Sequence, residues 1–87
     1  MQNFTVKVEP VRSPQVGGYL WTASVCSDET VITDLGHSIE GATLNVLYTF
    51  ASYCIKNGLT ADCIEAEQRD RLQVYIEQIN RTGEFSQ

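Results

Sequence analysis

Apolar and polar residues alternate with period two over Phe4-Thr5-Val6-Lys7-Val8-Glu9. That spacing predicts a strand with Phe4, Val6 and Val8 on its buried face. Pro10 ends this strand or confines it to a sheet edge, because proline has no N–H to give to a ladder. The alternation resumes from Tyr19 to Cys26, with Tyr19, Trp21, Ala23 and Val25 on the face better suited to a core and Leu20, Thr22, Ser24 and Cys26 on the other. Between the two runs, Arg12 to Gly18 (RSPQVGG) carries a proline and a glycine pair, the mark of a loop joining neighbouring strands. Ser27-Asp28-Glu29 is a turn sequence and Thr30-Val31-Ile32-Thr33 a short third strand, so residues 19–33 are expected to form a hairpin. Asp34 to His37 then leads into a segment of different period.

From Gly36 to Gly58 the apolar positions recur at helical spacing. Ser38 is a good N-cap, and Asn57-Gly58 offers a left-handed stop without a Cβ penalty, which places a helix at about 39–56. Glu40 near its start and Lys56 near its end both suit the helix dipole. Gly41 costs about 0.5–1 kcal/mol relative to alanine, a cost that a close contact there would offset. Ile39, Ala42, Val46, Phe50 and Cys54, with Leu47, form one apolar stripe, and Leu44, Tyr48, Ala51 and Ile55 form a second beside it. Only Asn45, Thr49, Ser52 and Lys56 make a polar line. A helix apolar around so much of its circumference needs cover on more than one side.

After Gly58 the pattern becomes charged and helical again. Asp62 with Glu65 three residues on has the spacing of a capping box, and Ile64, Leu72, Tyr75, Ile76 and Ile79 mark a narrower apolar stripe, so a second helix is expected over about 63–80. Leu59 to Ala61 suits either a loop or a short fourth strand. Gly83 is a plausible stop, with the last residues frayed. The fold expected is α+β in β-β-β-α-α order: a three-stranded antiparallel sheet packed on a long apolar helix, with a second, amphipathic C-terminal helix. That helix either folds back over the first or reaches to a second subunit.

At 87 residues and 43% hydrophobic composition, the chain is expected to be one small domain with a single core. No leader-like N-terminus and no apolar run of membrane-spanning length is present, so a cytoplasmic soluble protein is expected. Cys26, Cys54 and Cys63 are odd in number and lie in no metal-binding spacing, which reads as reduced, mostly buried thiols. The net charge of -5 argues against binding nucleic acid through its phosphates and suits a partner that is itself basic. Solubility alone also accounts for a mildly acidic domain.

No residue pattern points to catalysis, a metal or a cofactor. His37 is the only histidine and stands at a helix start; Asp28, Glu29 and Asp34 match no calcium-loop spacing; Gly17, Gly18 and Gly36 match no phosphate cradle. A thiol or histidine enzyme would need an exposed thiolate or an oriented imidazole, and remains the less favoured reading. Trp21 and Tyr19 are read as core anchors. Leu44, Tyr48, Ile55 and Tyr75 are the residues expected to meet a partner or a second copy, because a helix that leaves them uncovered would carry an apolar patch.

A strand, then Gly17-Gly18-Tyr19 with Trp21 after it, a short strand, and Gly36-His37-Ser38-Ile39-Glu40-Gly41-Ala42 opening a helix resembles the N-terminal domain of HicB-like antitoxins. Members of that family typically show a Gly-Gly-Tyr-Trp strand and a Gly-Asp-Thr-x-x-Glu-Ala helix start. Gly36, Ser38 and Ala42 match in kind, whereas His37 stands where Asp is usual and Gly41 where Glu is usual, and the Pro-Gly-Cys loop before the helix is absent. The resemblance covers about residues 4–56. It implies a protein without catalytic residues of its own that occludes a small basic ribonuclease toxin; with the long helix needing a second cover, the chain is expected to be a non-enzymatic binding protein and a homodimer. The acidic 62–80 segment does not look like the family's C-terminal DNA-binding segment, so no direct nucleic-acid contact is expected. The alternative is a phage or mobile-element protein of similar shape that inhibits a subunit of a host defence complex, such as a CRISPR effector.

Overall fold

The period-two segments do become strands. In a computed structural model, which describes residues 3–11, 18 and 20–82, β1 (Thr5–Pro10), β2 (Trp21–Cys26) and β3 (Val31–Gly36) form an antiparallel sheet in the order β1-β2-β3. Then come α1 (Ile39–Asn57), a single 3-10 turn (Ala61–Cys63) and α2 (Ala66–Thr82). The expected β-β-β-α-α order is what the chain adopts. The expected loop over 12–18, apart from Gly18, and the position of Tyr19 lie outside the described residues.

On the inner face of the sheet Ala23 and Val25 are fully buried, while Val6, Val8, Trp21 and Ile32 are partly buried against the same core. The opposite face, with Thr5, Lys7, Ser24 and Thr33, is open. Pairing runs Thr5↔Cys26 to Pro10↔Trp21 between β1 and β2, and Cys26↔Val31 to Trp21↔Gly36 between β2 and β3. Pro10 thus sits at the end of an edge strand, as a residue without an N–H requires. The third strand is longer than the expected 30–33: Asp34, Leu35 and Gly36 continue the ladder opposite Ala23, Thr22 and Trp21. Strand length here is set by the partner strand, which local composition does not report.

Helix α1 is capped as its termini predict. The Gly41 N–H donates to the Ser38 hydroxyl at 2.9 Å, and Gly58 closes the helix in the left-handed region at φ 68°. Ala42, Val46, Leu47, Phe50, Ala51 and Cys54 are buried against the sheet and α2. Ile39, placed by periodicity on the first stripe, is instead 52% exposed, because the helix starts at the sheet's margin. Two members of the polar line have partners on β3: Asn45 Nδ2 donates to the Leu35 carbonyl and the Thr49 hydroxyl to Asp34 Oδ2, both at 2.8 Å. Both residues are uncharged, and these hydrogen bonds tie the polar line to the sheet edge.

The chain after α1 returns to the first strand. The Phe4 N–H donates to the Cys63 carbonyl at 2.8 Å, and the Glu65 N–H donates to the Phe4 carbonyl at 3.0 Å, giving a parallel bridge between Phe4 and Ile64. Glu65 Oε2 accepts from the Val6 N–H at 2.8 Å. The Asp62/Glu65 spacing is therefore not a capping box, and the second helix starts at Ala66 and not near 63, since Cys63 ends the 3-10 turn and Ile64 is extended alongside Phe4. Arg69 Nε donates to the Ile64 carbonyl at 2.9 Å and holds the first turn of α2 to this segment. Leu72 and Ile79 are fully buried, with Tyr75 and Ile76 partly buried beside them. The second cover of α1 is thus α2 of the same chain.

Candidate protein-binding surface

The four residues expected to meet a partner lie on the two helices, and the tertiary fold brings three of them to the core margin. Tyr48 of α1 and Tyr75 of α2 meet edge to face, with ring centroids 5.5 Å apart and planes at 76°. Both rings are partly buried against the core, as is Ile55. Leu44, one helical turn before Tyr48, is partly exposed and does not belong to that packed set. The arrangement follows from spacing: residues four apart on α1 share a face, and the facing stripe of α2 carries its tyrosine at the same level. An edge-to-face pair of this kind contributes about 0.5–1.5 kcal/mol beyond the area it buries. It also fixes two amphipathic rings at low entropic cost, the property that makes tyrosine effective at interfaces.

Deeper in, the Phe4 and Phe50 rings meet at 4.7 Å with their planes tilted by 56°, and Tyr53 stacks on Phe50 at 5.7 Å and lies 6.3 Å from Phe4. This second aromatic group ties the first strand to α1. It belongs to the core, since Phe4 and Phe50 are wholly buried.

The titratable groups considered for chemistry are dispersed. His37 Nδ1 lies 3.2 Å from the Gly18 carbonyl, which joins the β3–α1 connection to the start of β2. Asp34 is occupied by the Leu35 N–H and the Thr49 hydroxyl. Cys54 and Cys63 are buried with their sulfurs 4.0 Å apart, and Cys26 is partly exposed on the outer sheet face. Burial pushes the Cys54 thiol up to about 12, helped by the neighbouring Cys63, and burial likewise raises Cys63. Neither is disposed to ionise as a nucleophile at neutral pH. Among the described residues no three His, Cys, Asp or Glu side chains are placed to hold a metal ion. Nor, among the described residues, is any helix long and apolar enough to cross a membrane.

No family model, curated protein or solved structure matches this chain. Its function is therefore argued from its own surface. Among the described residues four large apolar side chains stand more than half exposed: Leu20, Val31, Ile39 and Val74. Sequence reasoning put Leu20 on the outer sheet face, but singled out neither Val31 nor Val74 as surface residues. For Val31 a signal was present: on a strand whose inward residue is Ile32, its immediate neighbour must point outward.

Proposed function

We propose that the chain is a non-enzymatic binding protein, a homodimer, which occludes a basic nucleic-acid-processing protein, in the manner of the HicB-like antitoxins it resembles. The observation that carries this reading is the Tyr48–Tyr75 pair: two rings locked edge to face at a helix seam, partly buried, on a molecule of net charge -5. Aromatic anchors of this kind account for much of the binding energy at protein interfaces, and an acidic surface accelerates encounter with a basic partner. The fold order supports the resemblance without deciding it, because small β-β-β-α frameworks serve many functions.

The test takes the product of the reading frame adjoining this gene, purified alone, and follows its cleavage of single-stranded RNA with increasing amounts of this chain. Inhibition that saturates at a fixed stoichiometry is expected, with Tyr75→Ala weakening it about tenfold or more. An adjoining product with no ribonuclease activity, or one that cleaves unhindered with this chain in excess, overturns the antitoxin reading. Inhibition of a CRISPR effector complex by the same chain would replace it with the anti-defence one.

A further inference from the structure

The two edges of the sheet are treated differently. Antiparallel strands point alternate residues' main-chain groups toward each neighbour. The Ser27 N–H donates to the Thr30 carbonyl and the Val11 N–H to the Leu20 carbonyl. With these and the two registers, Phe4, Val6, Val8 and Pro10 point outward from β1, and Val31, Thr33 and Leu35 point outward from β3. The β1 edge is interrupted: Phe4 is paired with residues 63–65, the Val6 N–H is taken by Glu65, and Pro10 has no N–H, which leaves Val8 as its one outward residue among those described with both main-chain groups untaken. On β3, Leu35 is closed by its neighbours, its N–H donating to Asp34 Oδ1 and its carbonyl accepting from Asn45 Nδ2. Among the described residues nothing reaches the outward N–H and carbonyl groups of Val31 and Thr33.

We propose that this open stretch of β3 is where two copies of the chain join, pairing antiparallel about a two-fold axis at Ile32. It rests on the homodimer of the reading above and assigns it a surface. In this register Val31 of one copy faces Thr33 of the other, and each such pair exchanges two main-chain hydrogen bonds. The two Ile32 side chains, each partly buried on the helix side, meet at the axis and lengthen the apolar core. Val31, 66% exposed in the single chain, is covered beside Thr33 on the outer face. The segment Thr30 to Thr33 carries no charge, Asp34 falls opposite Thr30, and Glu29 opposite Leu35, so no carboxylate faces another across the ladder. Like charges directly opposite would disfavour the pairing. Edge strands kept monomeric usually carry lysine, proline or a bulge, and this stretch has none. The occupant is therefore a second copy, whose own edge offers the matching N–H and carbonyl groups in a register that sets no two charges directly opposite.

The experiment is sedimentation velocity on the full chain over a concentration series, with amide hydrogen exchange at the highest concentration. A monomer–dimer equilibrium is expected, with slowed exchange at Val31 and Thr33 in the dimer. Thr33→Pro removes an N–H that points away from β2, so it spares the β2–β3 ladder, and Val31→Lys with Thr33→Lys sets like charges opposite one another. Each variant is expected to weaken dimerisation about tenfold or more while circular dichroism and inhibition of the basic partner by the single chain stay unchanged. A monomer at every concentration up to about 1 mM, a dimer indifferent to Thr33→Pro, or a dimer whose Val31 and Thr33 amides exchange freely would overturn the assignment. Pairing of β3 with a strand of the basic partner in place of a second copy would overturn it too. Loss of inhibition with dimerisation intact would instead remove the binding-protein reading and leave this edge standing.

Discussion

A Cβ placed on Gly36 would lie 2.3 Å from the Ala42 amide nitrogen and 2.8 Å from the Gly41 carbonyl carbon, where the end of β3 passes under the first turn of α1. The obstruction is main chain, which does not rotate aside. Gly36→Ala is expected to cost about 3 kcal/mol, at the upper end of overpacking penalties, read as a lower urea midpoint. At Gly41 the nearest atom to an added Cβ is the Ser38 hydroxyl at 3.1 Å, the helix cap itself. Helix propensity gained and capping lost are each worth about 1 kcal/mol, so Gly41→Ala should shift stability by less than about 1 kcal/mol in the same assay. The close approach sought at Gly41 is in fact made on its main chain by Gly36. Cys54 shows the other kind of residue effect. Its thiol is held protonated by burial, with a pKa near 12 against 9.0 for an unperturbed thiol. The unfolded chain therefore loses that proton first as pH rises, and stability that is complete below about pH 9 declines toward pH 12. Cys54→Ala should be less stable at neutral pH and show a flatter alkaline decline in urea titrations. Iodoacetamide should label Cys26 in the native protein, and Cys54 and Cys63 only after unfolding.

At the scale of elements, periodicity carried the reading well where burial is local and poorly where a neighbour decides. The caps of α1 are written in Ser38 and Gly58, and its limits follow. The extension of β3 through Asp34 to Gly36 is not written in those residues, since Asp and Gly disfavour strands; β2 and the side chains of Asn45 and Thr49 hold them there. The start of α2 moved to Ala66 for a similar reason, as Glu65 answers the Val6 N–H across the fold. The helix pair itself is open to a direct measurement. Tyr48→Ala and Tyr75→Ala, singly and together, should show a coupling of about 0.5–1.5 kcal/mol in a double-mutant cycle of urea stability, since the rings are in contact. Additive effects would mean that the seam between α1 and α2 is not formed by this pair.

Over the whole molecule, charge and surface divide the two contacts proposed. Each copy carries a net charge of -5, so two copies repel one another and attract a basic partner. Raising salt from about 50 mM to about 500 mM shortens the screening length severalfold, and should weaken inhibition of the partner while strengthening β3 self-pairing. A single titration by light scattering and RNA cleavage separates them. The amino-acid sequence alone determined the element order, the caps of the long helix, the inner faces of the strands and the demand for a second cover over α1, because each depends on residue spacing within one segment. Tertiary structure alone decided that α2 supplies that cover, that residues 63–65 occupy the start of the β1 edge through Phe4 and Glu65, and that Val31 and Thr33 are left open. Those outcomes depend on which distant segments meet, and the period of a segment records which face it buries without naming what it is buried against.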